Sequence, residues 1–308
     1  MNAPPGTGRA EGPDGVDGVD GVDRRHATGG PDDTVQVWLV QDQRSPSVPA
    51  DLLAVLDAAE RLRADACRSA DARRRFVLAH GAVRHIVAAR LGVPPAEIRW
   101  RYGPHGKPEL AGRWTGAQVN LSHSGELAVV ALTPSRRVGV DIQRVLPHLD
   151  GAAMAHRYFP PQEAALVRAA PGPDVRADRF ARLWARKEAL VKAHGGRLTQ
   201  GLRIPVTAPG ALGEEEGALM AGPGTLVLGP GTLAPGPGTT APGPGPGPGP
   251  GTAADGRAAS HRGEDAWSRE YRITDVAAPP GYRAAVALAG PAGYRVTCHR
   301  WTWQDPPN

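Results

Sequence analysis

The sequence predicts an α+β protein built from two similar α/β halves. Two observations carry this. Helical stretches give way to a run of short strands between residues 51 and 143, and the same order returns between about 161 and 301. In both places the apolar period changes from 3.6 to 2, the mark of a switch from helix to strand.

A first strand is expected where Val35, Val37 and Leu39 alternate with Gln36, Trp38 and Val40. Asp51 reads as the N-cap of a helix through Leu52, Leu53, Val55, Leu56, Ala59 and Leu62. A second helix runs from about Asp71 to Leu91, with an apolar stripe of Phe76, Leu78, Ala79, Val83, Ile86, Val87 and Leu91, and Gly92-Val93-Pro94 stops it. Strands follow at 98–102, 119–122, 128–132 and 138–142. Helices return at about 161–170 and 174–194, the latter closed by Gly195-Gly196 as a C-cap. Order resumes at Trp267, with strands expected at 270–274, 283–289 and 294–301.

Gly and Pro number 40 and 32 in 308 residues, about twice the ordinary share. Half of them lie in residues 1–33 and 209–252. Residues 1–33 carry Gly-Val-Asp three times and no apolar face, so they read as a disordered tail. Residues 209–262 read as a disordered, coreless insert; their Pro-Gly period of two is not the period of three that collagen requires. The expected organisation is a tail (1–33), an N-terminal half (34–143), a C-terminal half (144–208 and 263–304) and the insert (209–262). The remaining 230 or so residues suffice for one large domain or two small ones sharing a core.

No run of 18 apolar residues occurs, which excludes a membrane-spanning helix. The first residues lack the basic start and apolar stretch of a secretory signal. Cys67 and Cys298 form no C-x-x-C pair, so a reducing cytoplasm and no zinc site are expected. The net charge of +5 suits an anionic ligand or an acidic partner surface. Of 36 basic residues only Lys107, Lys187 and Lys192 are lysines. A chain that writes arginine almost everywhere gives weight to the sites where a compact point charge is kept.

Four motifs could carry chemistry. In Val138-Gly139-Val140-Asp141-Ile142-Gln143, strand alternation turns Val140 and Ile142 to a core and Asp141 and Gln143 to the opposite side. Two oxygen donors there suit a hard cation, although the hexapeptide alone reads better as an ordinary strand ending in polar residues. In the helix Phe180–Lys192, Trp184, Glu188 and Lys192 share a face at i, i+4 and i+8. That face is either a solvated ion pair beside a core Trp or a carboxylate for metal or proton with an ammonium for phosphate. In Asn120-Leu121-Ser122-His123-Ser124-Gly125, Ser122 and Ser124 face one side and His123 the other, which argues against a nucleophilic Ser–His pair. Phosphate recognition and a structural histidine both fit it. Tyr102-Gly103-Pro104-His105-Gly106-Lys107-Pro108 is a loop whose glycines admit a flat ligand, without the spacing of a P-loop.

Taken together and in order, Gly106-Lys107-Pro108, Asn120–Gly125, Gly139-Val140-Asp141 and Trp184–Ala189 with Lys192 resemble a 4′-phosphopantetheinyl transferase of the Sfp type. The resemblance spans about residues 34–207 and 266–301. It implies two α/β subdomains in a pseudo-twofold arrangement with the active site between them. It also implies transfer of phosphopantetheine from coenzyme A to a carrier-protein serine, with Mg²⁺, or Mn²⁺ in its place. By motif match, Asp141, Glu188 and Gln143 would be metal ligands, with Gln143 ranked last because many members carry Glu there. Glu188 would be the base, and Lys187 and Lys192 would hold the transferring or leaving phosphate. Ser122 and His123 would meet the 3′-phosphate, Gly106, Lys107 and Pro108 the nucleotide end, and Arg61 and Arg84 the CoA phosphates. The expected partners are coenzyme A and an apo acyl or peptidyl carrier protein, with no nucleic acid, no membrane and a monomeric chain. A catalytically inactive CoA-binding protein and a scaffold built around the insert stand as alternatives.

Overall fold

The computed structural model describes residues 33–41, 50–207, 224–226 and 271–302, and of 224–226 the backbone alone. The first half contains β1 (Thr34–Gln41), α1 (Ala50–Ala54), α2 (Ala58–Asp65) and α3 (Ala70–Leu91). It continues with β2 (Trp100–Tyr102), β3 (Pro108–Leu110), β4 (Gln118–Ser124), β5 (Leu127–Thr133) and β6 (Val138–Arg144). Then come α4 (Gly151–Tyr158), α5 (Pro161–Arg168), α6 (Pro173–His194), α7 (Leu198–Gly201), β7 (Gly224–Leu226), β8 (Tyr271–Val276), β9 (Tyr282–Ala289) and β10 (Arg295–Trp301).

These elements make two α/β subdomains. One four-stranded sheet has the order β10-β1-β5-β4, the other β6-β9-β8-β7, and β2 and β3 form a separate pair. β1 and β10 are parallel, and the other pairings are antiparallel. Period-2 alternation gives each central strand two apolar faces. On β5, Ala128, Val130 and Leu132 pack under α3, while Leu127, Val129 and Ala131 join Val140, Ile142, Val286 and Leu288 of the other sheet. On β9, Ala285 and Ala287 pack under α6. The layers are therefore α3, sheet, sheet, α6, and β5 reads as a continuous apolar run because it is buried on both faces.

The expected strands and the two 22-residue helices are present, and α6 ends at Gly195 with φ of 81°, the left-handed C-cap. Four details differ from expectation. The single helix expected from Asp51 is two, because Asp57 starts α2 with a reciprocal capping box. Its Oδ1 accepts from Glu60 N at 2.8 Å, and Glu60 Oε2 accepts from Asp57 N at 3.1 Å. α4 lies in a stretch where no helix is expected; Asp150 caps it. The halves do not divide at residue 143: β6 belongs to the second sheet, and β10, from the far end of the chain, completes the first. Inside the segment expected to lack structure, Gly224–Leu226 forms the edge strand β7 against β8. The rest of that insert and the tail through Asp32 lie outside the described residues, as does Trp267.

Candidate functional site between the two sheets

Gly139, Asp141 and Gln143 alternate onto the face of β6 that meets α6. At Gly139 there is no room for a side chain, since a Cβ would overlap the backbone of Ala189 and Ala193. The glycine lets α6 lie directly on the strand, and that approach sets Glu188 and Lys192 beside Asp141.

On the other side of β6 lies β4, the edge of the first sheet. Here Asn120, Ser122 and Ser124, alternate residues on one face, tie the two sheets together. Asn120 Oδ1 accepts from Val140 N at 2.8 Å, Ser122 Oγ donates to Asp141 Oδ1 at 2.6 Å, and Ser124 Oγ accepts from Arg144 N at 3.0 Å. The two bonds to β6 N–H groups satisfy backbone donors at a strand edge.

Lys192 Nζ closes the cluster. It donates to Asp141 Oδ1 at 2.6 Å and to Ser122 Oγ at 2.8 Å, and lies 3.3 Å from Glu188 Oε2. Trp184 Nε1 donates to Glu188 Oε1 at 2.9 Å, so Trp184, Glu188 and Lys192 share a face as their spacing predicts. Asp141 is only 3% exposed. Burial pushes its carboxyl up to about 6; the charge of Lys192 opposes this, that of Glu188 adds to it, and the Lys192 and Ser122 hydrogen bonds oppose it. A carboxylate kept out of water beside a second carboxylate is a strained arrangement, of the kind found at functional sites.

Two cavities flank His123, which points away from Ser122 as alternation requires. One, of about 210 Å³, is walled by Arg63, His80, Tyr102, Gly106, Pro108 and His123 among others. The second, of about 420 Å³, is lined by Arg75, Phe76, Gly125 and Cys67 as well as His123. Desolvation holds the His123 imidazole below its ordinary value, and the positive charges of Lys192, His80 and Arg75 add to the effect. The surroundings of the ring thus disfavour its charged form in a basic corner.

The donor set fits a divalent cation. Asp141 and Glu188 offer hard oxygen donors, bridged by the positive charge of Lys192, and Gln143 lies on the same face of β6 by strand alternation. The Gln143 amide nitrogen donates to Arg144 O at 3.2 Å. Among the described residues no three His, Cys, Asp or Glu side chains gather into a metal-sized group, so the set in contact is two carboxylates, suited to an ion that keeps several waters.

Several expected ligands are placed elsewhere. Lys187 is fully buried on the opposite side of α6, with Nζ 2.5 Å from Glu163 Oε2, 2.6 Å from Ile204 O and over the ring of Phe159. Glu163 in turn accepts from Val206 N and Thr207 N. Burial holds the Lys187 ammonium below its ordinary value, with Glu163 opposing. It braces α5 and residues 204–207 and presents no charge to a phosphate. Arg84 is likewise fully buried, held by Glu60 at 2.6 Å, Asp57 at 2.7 Å and the Ile98 carbonyl at 3.0 Å. Lys107 reaches not into a cavity but between β6 and the end of α6, donating to Val138 O at 3.0 Å and Ala193 O at 3.3 Å. Ser122 spends its hydroxyl on Asp141 and Lys192. Arg61 lies on the exposed side of α2 with its guanidinium on Leu56 O, and the cavity wall is taken by Arg63 two residues on. Arg63, Arg75, His80 and Tyr102 were not singled out as ligands by sequence; their convergence depends on how α2 and α3 cross, which no local pattern records.

Two α/β subdomains with a carboxylate–lysine cluster where their sheets meet define a two-lobed α/β fold. The model of the 4′-phosphopantetheinyl transferase superfamily matches residues 137–210, which carry Asp141, Glu188 and Lys192. The 4′-phosphopantetheinyl transferase HetI of Nostoc sp. is 36% identical over 165 residues, covering 53% of this chain and 69% of the relative. A Synechocystis sp. protein, provisionally described by the same activity, is 33% identical over 168 residues, 54% of this chain and 67% of its own. The 4′-phosphopantetheinyl transferase AcpT of Salmonella typhi is 36% identical over 111 residues, 36% of this chain and 57% of its own. The chain belongs to the 4′-phosphopantetheinyl transferase family.

Proposed function

We propose that the protein moves the 4′-phosphopantetheine group of coenzyme A onto a serine hydroxyl of an acyl or peptidyl carrier protein, releasing adenosine 3′,5′-bisphosphate. The observation that carries this reading is the Asp141–Lys192–Glu188 cluster, part-exposed at Glu188 and Lys192, with the cavities at His123 one residue along β4 from Ser122.

Glu188 is the base: its carboxylate, oriented by Trp184, takes the proton of the carrier serine as the serine oxygen attacks the phosphorus and the bond to the bisphosphate breaks. Lys192 meets the charge on the transferring or leaving phosphate. His123, with Arg63 and Arg75 nearby, receives the 3′-phosphate, and Gly106 and Pro108 border the nucleotide. Asp141 and Glu188, with Gln143 beside them, would hold Mg²⁺ or Mn²⁺. When bound, that ion neutralises charge building on the pyrophosphate. The protein works as a monomer in the cytoplasm on this reading.

The test is intact-mass analysis of several apo carrier proteins after incubation with the protein, CoA and Mg²⁺. A phosphopantetheine mass gain on at least one carrier, absent with Asp141→Ala, is expected. Tight CoA binding with every carrier unmodified would favour an inactive CoA-binding protein instead, the reading that neutral Gln143 supports.

A further inference from the structure

The ammonium of Lys192 occupies a coordination point. Three oxygens surround it, Asp141 Oδ1 at 2.6 Å, Ser122 Oγ at 2.8 Å and Glu188 Oε2 at 3.3 Å. Asp141 Oδ1 is thus shared by one hydroxyl and one ammonium, and one of the two negative charges that would ligate a metal is already offset by the Lys192 cation. A divalent ion at about 2.0–2.1 Å from the same oxygens leaves no place for an ammonium in van der Waals contact with them. The lysine has a flexible four-carbon stem with a rotatable head. It stands in the last turn of α6 with its side chain 25% exposed, so it has somewhere to go.

We propose that Lys192 is a resident counter-cation that holds the Asp141–Glu188 pair in the metal-free protein and gives up Asp141 Oδ1 when a divalent cation binds, which frees its ammonium for the anionic substrate. This rests on the metal reading given under Proposed function and deepens it. Metal loading and presentation of Lys192 become one event. The site is half-neutralised before the metal arrives, and the cation that receives the phosphate is released only once the metal is in place. Ser122 is then a positioning residue, holding Asp141 Oδ1 on one side and Lys192 on the other.

The chain has three lysines, so uniform lysine labelling with ¹³C and ¹⁵N gives three side-chain signals for the full-length protein without CoA. Lys107 and Lys187, bonded to carbonyls and to Glu163, are internal references. Mg²⁺ should shift and sharpen the Lys192 signal and leave the other two in place, and equal ionic strength of NaCl should move none. In parallel, calorimetric Mg²⁺ titration at pH 8 should give Lys192→Met a dissociation constant at least tenfold lower than that of the wild type. Coulomb repulsion alone would also tighten the variant, and the lysine spectrum separates the two causes. Saturating Mg²⁺ that leaves the Lys192 signal unmoved overturns the proposal, as does an unchanged or weaker affinity in Lys192→Met. If neither protein binds Mg²⁺, or Asp141→Asn binds it as well as the wild type, the metal reading itself fails.

Discussion

Lys187 and Glu188 are neighbours in sequence and face opposite worlds. Lys187 Nζ lies 2.5 Å from Glu163 inside the C-terminal core, and Glu188 meets Lys192 and Trp184 on the part-exposed face of the helix. One helix thus carries a structural ion pair and a chemical one on adjacent residues. Breaking a buried pair by removing one partner costs about 3–5 kcal/mol. Lys187→Met should therefore lower the melting temperature sharply, while the fraction still folded retains transfer activity. Glu188→Gln should do the reverse, leaving the melt nearly unchanged and abolishing transfer. Thermal melts and carrier mass analysis on both variants check this.

Gly139→Ala should be severe for a different reason. The new methyl meets main chain of α6 rather than a flexible side chain, and overpacking of cores costs about 1–3 kcal/mol, occasionally more. The helix must lift, taking Glu188 and Lys192 from Asp141. Loss of transfer with a destabilised but cooperative melt is expected. Full activity would show that the helix approach is not what assembles the cluster.

Asp141 links stability to pH. Its carboxyl titrates at about 6 in the fold against 3.8 unperturbed. Between those values the folded chain binds more protons than the unfolded one, so this group's contribution to stability falls as pH rises from about 4 to about 6. Asp141→Asn removes the dependence. In chelator, the variant should gain on the wild type through that window and stay ahead above it. Chemical denaturation at pH 4, 5, 6 and 7 reads the difference, and parallel profiles would contradict the buried charge.

Dephospho-CoA tests His123. A hydrogen bond to a charged phosphate contributes about 1.5–3 kcal/mol, so the analogue should bind roughly tenfold to a hundredfold more weakly. His123→Ala should weaken CoA and leave dephospho-CoA nearly untouched. Equal losses for both ligands would remove His123 from the phosphate.

Replacing residues 227–262 with a short Gly/Ser linker should leave the melt within a degree or two, because closure cost changes by only about 0.6 kcal/mol per doubling of loop length. Replacing 209–262 should cost more, since it also removes β7 from the edge of β8. Identical melts for the two deletions would mean that β7 adds nothing.

The strands and long helices were legible because their periods are local. So was the opposition of Ser122 and His123, and the shared face of Trp184, Glu188 and Lys192. Lys187 and Arg84 were misjudged although a signal existed. Lys187 falls in the stripe Phe180, Leu183, Leu190, Val191, and Arg84 in Val77, Gly81, Ala88; both stripes are buried. A cation inside an apolar stripe needs an internal carboxylate, and Glu163 and Glu60 supply them from other helices. The motif match turns Lys187 outward, and a loose alignment of the upstream helices with the family does the same for Arg84, whereas helix phase turns both inward. The place of β10 had no local signal at all, since its parallel partner β1 lies more than 250 residues away in the chain.

That pairing has a consequence for how the protein is made. β10 stacks His299 on Trp38 and sets Trp301 against the packing of α3, so the first subdomain owns a strand that the ribosome delivers long after the others of its sheet. Between the emergence of β5 and that of β10 lie about 160 residues. At roughly 5–20 residues per second that is about 10–30 s during which β1 has an unpaired edge. An open edge is a template for wrong partners. The first subdomain therefore waits during synthesis for a strand made long after the rest of its sheet, and a nascent chain stalled before residue 295 should be far more sensitive to protease than one stalled after β10 has cleared the exit tunnel.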